Sequence, residues 1–313
     1  MGEIYSLENI ANSSYNALQA TLRRVQGPLT LGVAYTYSHS LDNASDRSDS
    51  TFVNSFDIKS NRANSNFDQR HLFHASYIYD LPLLKFFDRF LHSADDDPTN
   101  TVAHGSNPDW GSRKVAQAVL GGWQLSGLTL FETGIPFTVV NGGSPEGIAT
   151  LDNAGVANGT GSGSYPDLSG VSAHSARPVG GNNTKSFGPL LMNPAAFRAP
   201  RGLTFGNSGR NILNNPRRWN TDVAMLKHFS LPYETNLEFR AEAFNLFNVT
   251  QFRIYDPALG TQAENTVACY GGYSTYYSAA GGAGTDCLTG SSFLHPVDAH
   301  RPRTIQFGLK LAF

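Results

Sequence analysis

The chain has 313 residues, enough for one large domain or two ordinary ones. Charged residues make up only 15 %, with 23 Lys plus Arg against 25 Asp plus Glu and a net charge of −2. This excludes a strongly basic nucleic-acid binder and a charge-rich disordered chain, and no apolar run is long enough for a transmembrane helix. Low charge with 31 glycines and 12 % aromatics fits a β-rich protein. A transmembrane β-barrel is one such case, because alternation dilutes its apolar residues.

The N-terminus, MGEIYSLENIANSSYNALQ, has no basic stretch followed by an apolar one, so no secretory signal is read there. A chain of exported character without a signal is expected to be a piece of a longer protein. Gly2 and Ser6 partly meet a myristoylation motif, but Glu3 and the exported character set it aside.

In chain order, period-2 alternation predicts seven strands, near 14–25, 29–40, 70–80, 119–140, 219–230, 236–247 and 303–313. In the second, Leu29, Leu31, Val33, Tyr35 and Tyr37 alternate with Thr30, Gly32, Ala34, Thr36 and Ser38. In the third, Phe73, Ala75, Tyr77 and Tyr79 share a face. Trp123, Leu125, Gly127, Thr129 and Phe131 do so in the fourth, and Leu237, Phe239, Ala241 and Ala243 in the sixth. The last strand is the clearest. Ile305, Phe307, Leu309, Leu311 and Phe313 oppose Thr304, Gln306, Gly308, Lys310 and Ala312.

The links alternate in length. Gln26–Pro28 and the SLPYET segment are tight, whereas 41–69, 141–218 and 248–302 are long and rich in Gly, Asn, Ser and Asp. Such loops argue against a compact soluble domain and suit a barrel with short periplasmic turns and long external loops. If the last strand runs down into the periplasm, both tight turns fall on the periplasmic side and all three long loops fall outside. The link 81–118 departs from this pattern; its LLKFFDRFL portion reads as a short amphipathic helix near the membrane surface or as a packed insert. Seven is odd and closed bacterial single-chain barrels are even, so the fold class expected is all-β, an open antiparallel segment of a larger transmembrane barrel.

Chemistry is sparse. No nucleophile elbow, phosphate loop or zinc-protease motif occurs, and no catalytic residue, metal or cofactor is expected. His71 and His74 lie three apart on a strand and face opposite ways. The acidic runs Asp42, Asp46, Asp49 and Asp95, Asp96, Asp97 lack calcium-loop spacing and are expected to be solvated loop. Cys269 and Cys287 are a disulfide candidate, closing a loop worth roughly 3 kcal/mol in the chain-entropy model. The aromatics Tyr35, Tyr37, Tyr77, Tyr79, Trp123 and Phe131 share faces with Leu and Val, which favours a membrane-interface girdle over a sugar site. The loop tyrosines Tyr270, Tyr273, Tyr276 and Tyr277 sit among Ser and Gly, an adaptable surface, and are the candidate ligand contacts.

The stretches FDQRHLFHASYIYDLP, LGGWQLSGLTLFETGIPFTV, NTDVAMLKHFSLPYETNLEFRAEAFNLFN and IQFGLKLAF, in this order, resemble the C-terminal barrel of TonB-dependent outer-membrane receptors, in particular the Oar-like branch. Gln306, Gly308, Leu309, Leu311 and Phe313 resemble the barrel-assembly signal of outer-membrane proteins. The resemblance implies a 22-stranded barrel of which these are the last strands, with the N-terminal plug and its energy-coupling segment absent. It implies energy-dependent uptake of an unidentified ligand at the outer membrane. The implied partners are outer-membrane lipid, the barrel-assembly machinery and, through the plug, an inner-membrane energy-coupling complex; no nucleic acid is expected. A surface adhesion or structural barrel without transport, and a secreted carbohydrate-binding β-sandwich, stay open.

Overall fold

The computed structural model describes residues 8–46, 57–86, 115, 117–141, 165–174, 189–198, 205–231, 235–254, 266–269, 294–296 and 298–312. Seven long strands dominate: β1 (Ser13–Gln26), β2 (Leu29–Asp42), β3 (His71–Leu81), β4 (Trp123–Glu132), β5 (Arg218–Ser230), β6 (Asn236–Phe244) and β7 (Thr304–Ala312). They form one sheet in chain order, each strand hydrogen-bonded antiparallel to the next. The short strand Ala63–Asn64 adds to the upper end of β2.

The sheet does not close. Among the described residues, β1 and β7 have no strand on their outer edges. In a seven-strand antiparallel meander the two outermost strands run the same way, so these edges cannot pair antiparallel with each other.

Register joins the alternations of all seven strands into two faces. Opposed residues in an antiparallel ladder share a face. One register row places Tyr35, Phe73, Phe131 and Trp219 side by side, and another places Leu81, Trp123, Lys227, Phe239 and Leu309 side by side. Leu, Val, Ala and aromatics predominate on this face, with Thr129, Thr221 and Lys227 among its exceptions. The other face carries Thr30, Gly32, Ala34, Ser76, Ser126, Ala224, Glu242 and Gly308, mostly small or polar. Side chains converge on a concave face and diverge on a convex one, so this split curls the sheet toward its small residues. The concavity that results holds about 690 Å³ and is lined from β1 through β6, with Arg23, His74, Asp222 and Glu242 set among a larger apolar surface that includes Ile78, Leu128 and Phe244.

Along β7 the apolar face is exposed among the described residues. Phe307 is 73 % exposed and Leu309 71 %. A β-sandwich would have buried this face against a second sheet, so that alternative is set aside. Polar groups on the apolar face answer one another: the Thr129 and Thr221 hydroxyls lie 3.2 Å apart on neighbouring strands.

Strand ends joined by links 27–28, 82–122 and 231–235 lie at one end of the sheet, and those joined by 43–70, 133–217 and 245–303 lie at the other. Gly27, at φ 68°, opens the two-residue turn between β1 and β2 at no steric cost. The long-link end is not a set of separate loops. Described parts of two links share a small apolar core at that end: Phe137 and Val139 from the start of the 133–217 link, Leu190, Met192, Phe197 and Leu213 from later in the same link, and Ile254 and Leu294 from the last. This is a folded cap.

Two expected strands end earlier than alternation alone implies. The fourth, expected over 119–140, is helical at 117–120, strand at 123–132, and broken at 133–135. The piece Pro136–Asn141 leaves the sheet to pair with Leu213–Asn214 and, in parallel, with Thr266–Cys269. The break falls at Gly134, where a β-carbon would overlap the Asn215 backbone carbonyl, while Asn215 N donates to Ile135 O at 2.9 Å. Only glycine permits that crossing. Gly134→Val is therefore expected to cost about 1–3 kcal/mol and to loosen the cap, seen as a lower melting temperature of the folded protein. The sixth strand stops at Phe244 because Asn245 and Asn248 take left-handed backbone (φ 51° each). The Asn245 side chain then donates to the Val249 and Arg301 carbonyls and accepts from Val249 N, turning the chain away from the ladder.

Candidate functional site

The site is a concave wall of mixed polar and apolar side chains with a folded cap at its long-link end. On the wall, β6 presents Glu238, Arg240 and Glu242 on one face at period 2. Arg240 pairs with Glu238 at 3.0 Å and Glu242 at 3.5 Å, and Gln306 of β7 donates to Glu242. His74 lies on this wall while His71 lies on the apolar face, 2.9 Å from the Tyr35 hydroxyl. The two histidines cannot act together, as their spacing predicts, and no metal-binding group occurs among the described residues.

The cap is held down by polar side chains that alternation does not reveal. Arg210 is fully buried and paired with the Asp42 carboxylate at the end of β2. It also donates to the carbonyls of Asp42 (2.9 Å) and Asn61 (3.1 Å) and to the Ser45 hydroxyl (3.1 Å). Asp42, expected in a solvated acidic run, is instead 2 % exposed. A cation more than 160 residues away in the chain compensates the carboxylate and allows it to be buried. Asn211, left-handed at φ 54°, exchanges hydrogen bonds with Thr138 and donates to Asn64 O and Asn66 Oδ1 at 2.7 Å each. Asp68 accepts from Ser40 N at 2.7 Å and from Arg70 at 2.9 Å, with His39 at 3.4 Å. Residues 42–46, 57–70 and 205–215 are thus tied to each other and to the rim of β2. The signals available in sequence were the FDQRH stretch for Asp68 and a glycine-flanked GNSGRN for Arg210 and Asn211.

A second cluster closes the rim nearer the last link. Gln251 accepts from Trp219 N at 2.8 Å and donates to Trp219 O, extending the β5 edge as an extra strand would. This sets Arg253, with its ion pair to Asp298, and His300 beside the Arg218–Glu132 pair. The Ala299 backbone N–H, and then Arg253, hold the Asp298 carboxyl below its usual range. Burial, and then the Arg218 and Arg253 cations, push the His300 imidazole below its ordinary value, against Glu132 and Asp298. The unfolded chain therefore takes up this proton first. Cap stability is expected to fall as pH drops through about 6.5, the unfolded value, and to level off below the folded one. Denaturant melts between pH 8 and pH 5 measure this, and His300→Gln should flatten the slope.

Of the residues singled out in the sequence, Gln306, Gly308, Leu309 and Leu311 lie in β7, with the leucines on the apolar face and Gln306 and Gly308 on the other. Phe313, the tyrosines Tyr270, Tyr273, Tyr276 and Tyr277, Cys287, Asp49 and Asp95–Asp97 lie outside the described residues. Cys269 ends a short strand whose backbone pairs with Asn141, and its side chain lies outside the description. The six aromatics at 35, 37, 77, 79, 123 and 131 all fall on the apolar face. The Tyr77 ring lies over Gly127 of the next strand, where a β-carbon would meet its hydroxyl.

The apolar face carries the marks of a lipid contact. On β5 it is bounded by Trp219, stacked on Phe247 at 5.3 Å, and by Phe229. Those ends stand about 34 Å apart along the strand, or roughly 26 Å in height at a barrel tilt near 40°, the thickness of an outer-membrane apolar band. Lys227 sits on this face beside the short-link end. It is 2 % exposed, its ammonium donates to Gly121 O and lies 4.9 Å from the Phe229 ring and 5.7 Å from that of Trp123. A cation is tolerated there because it is ligated and close to the interface.

An antiparallel wall that is apolar outside, concave and mixed in polarity inside, and structured at one mouth is the wall of a membrane β-barrel. Residues 1–95 and 99–282 match the family described as outer membrane beta barrel domain, and the chain belongs to it. It is an outer-membrane protein. No curated protein and no solved structure matches the chain.

Proposed function

We propose that this outer-membrane protein is a receptor that captures a ligand at the cell surface and takes it up by an energy-dependent route, in the manner of the Oar-like TonB-dependent receptors its strands resemble. The observation that supports this most is the pairing of a wide concavity, which carries Arg23, His74, Asp222 and Glu242 among apolar side chains, with an ordered cap fastened at one end by Arg210 and Asn211. A purely structural barrel needs neither. Rigid elements carry the loops, which is where binding residues are usually placed.

An even-stranded antiparallel barrel needs an odd number of strands beyond these seven, because β1 and β7 run the same way. In this reading those strands, a plug in the lumen and an inner-membrane energy-coupling complex complete the machine. The open, alternating edge of β7 is what the barrel-assembly machinery engages. The role is binding and transport rather than catalysis.

The test compares cells carrying the whole gene with cells lacking it, following depletion of solutes from defined medium with and without a protonophore. Depletion of a solute that needs both the gene and the proton gradient supports uptake. Gene-dependent attachment to surfaces with no protonophore-sensitive depletion would replace it by the adhesion reading.

A further inference from the structure

The link between β3 and β4 departs from the short-turn pattern, and its described ends lie on the lipid side of the sheet rather than beneath the lumen. Three contacts place them. Trp123, on the apolar face of β4, donates its indole N–H to Val119 O at 2.8 Å. Lys227, on the apolar face of β5, donates to Gly121 O. Leu84 reaches within 3.3 Å of where a Gly121 β-carbon would stand, so the two ends of the link meet at that spot.

Both ends are helical, at 83–86 and around 115–120, with Phe86 N bonded to Pro82 O and Gly121 N to Gln117 O. Yet they show water large apolar side chains: Phe86, Val115 and Val119 are each more than half exposed. Val115 and Val119 stand four apart, one above the other on a helix. Lys85 is exposed beside Phe86.

We infer that the two described ends of this link form a foot that lies in the periplasmic leaflet of the outer membrane, with Val115, Val119 and Phe86 in the headgroup–acyl boundary and Lys85 toward lipid phosphate. The occupant is a phospholipid leaflet because the exposed valines continue the apolar face of β4 and β5, which already meets lipid, through Trp123 and Lys227 at its lower border. Apolar residues with a neighbouring cation at that depth are the composition of an interfacial helix. The foot rests on the short-link end being periplasmic.

The test places a photoreactive benzoylphenylalanine in the full chain, one site at a time, at Val119, Val115, Leu309 and Lys310, and irradiates intact outer membranes. Phospholipid adducts, read by mass, are expected at Val119, Val115 and Leu309 and not at Lys310. Adducts at Leu309 but none at Val119 and Val115, or adducts there with protein alone, overturn the foot and leave the barrel reading standing. No lipid adduct at Leu309 would overturn both. A smaller diazirine-bearing aliphatic side chain replaces either valine should the benzophenone block assembly, with the same outcomes.

Discussion

Replacing Arg210 by alanine is expected to open the cap while the seven-strand sheet persists. Arg210 and Asp42 have side chains 0 % and 3 % exposed. Removing the guanidinium strands the Asp42 carboxylate in a dry site, with the Ser45 hydroxyl at 2.7 Å as a neutral donor. Breaking one side of a buried pair costs about 3–5 kcal/mol, mostly through the charge left behind. The carbonyls of Asp42 and Asn61 lose a donor as well. Amide hydrogen exchange should accelerate in 58–68 and 205–215 by the factor that such a loss implies, while β3, β4 and β5 keep their protection. Arg210→Met combined with Asp42→Leu should restore most of that protection, because two apolar side chains leave no unpaired charge. Equal loss in the double variant would show that the hydrogen bonds to the carbonyls, not the ion pair, hold the cap.

Phe307→Arg is expected to destabilise the folded protein in lipid vesicles by about 2–4 kcal/mol, the cost of an arginine at mid-bilayer on a barrel's outer face. Phe307 sits near the middle of β7, in the register row of Ala241, Met225 and Leu125, and is the most exposed of the large apolar residues on that strand. Gln306→Arg, on the same strand but the opposite face, should stay within roughly 0.5 kcal/mol, since an arginine there still reaches Glu242. Guanidinium unfolding of the two variants in the same vesicles separates the faces. Equal effects would mean that both faces of β7 see the same medium and that the lipid assignment is wrong.

Much of the wall was legible in the sequence. Period-2 alternation is a local property, and opposed strands in a meander bring equivalent positions together, so the apolar faces read separately in seven segments merge into one. The opposite facing of His71 and His74 and the shared face of the six aromatics followed from spacing alone. Strand ends were less legible. Phe137 continues the alternation of β4, but the chain crosses Asn215 at Gly134 and carries Phe137 into the cap core. Asn245 sits in an uninterrupted apolar rhythm and ends it by turning left-handed.

The cap was not legible. Long links rich in Gly, Asn and Ser carry no period, because their order comes from polar side chains meeting across the fold. Asp42 reads as one more loop carboxylate until Arg210 is brought to it. Asn211 reads as a loop asparagine until Thr138, Asn64 and Asn66 surround it.

The amino-acid order alone determined which side chains share a face, and hence that a seven-strand wall has one apolar and one polar side, since a strand's pleat admits no other arrangement. Only the tertiary structure decided that the Gly- and Ser-bearing side is concave, that described parts of the long links fold together at one end of the sheet, and that the described ends of the β3–β4 link meet the apolar face. Curvature and long-range ion pairing depend on residues far apart in the chain, and no local pattern records them.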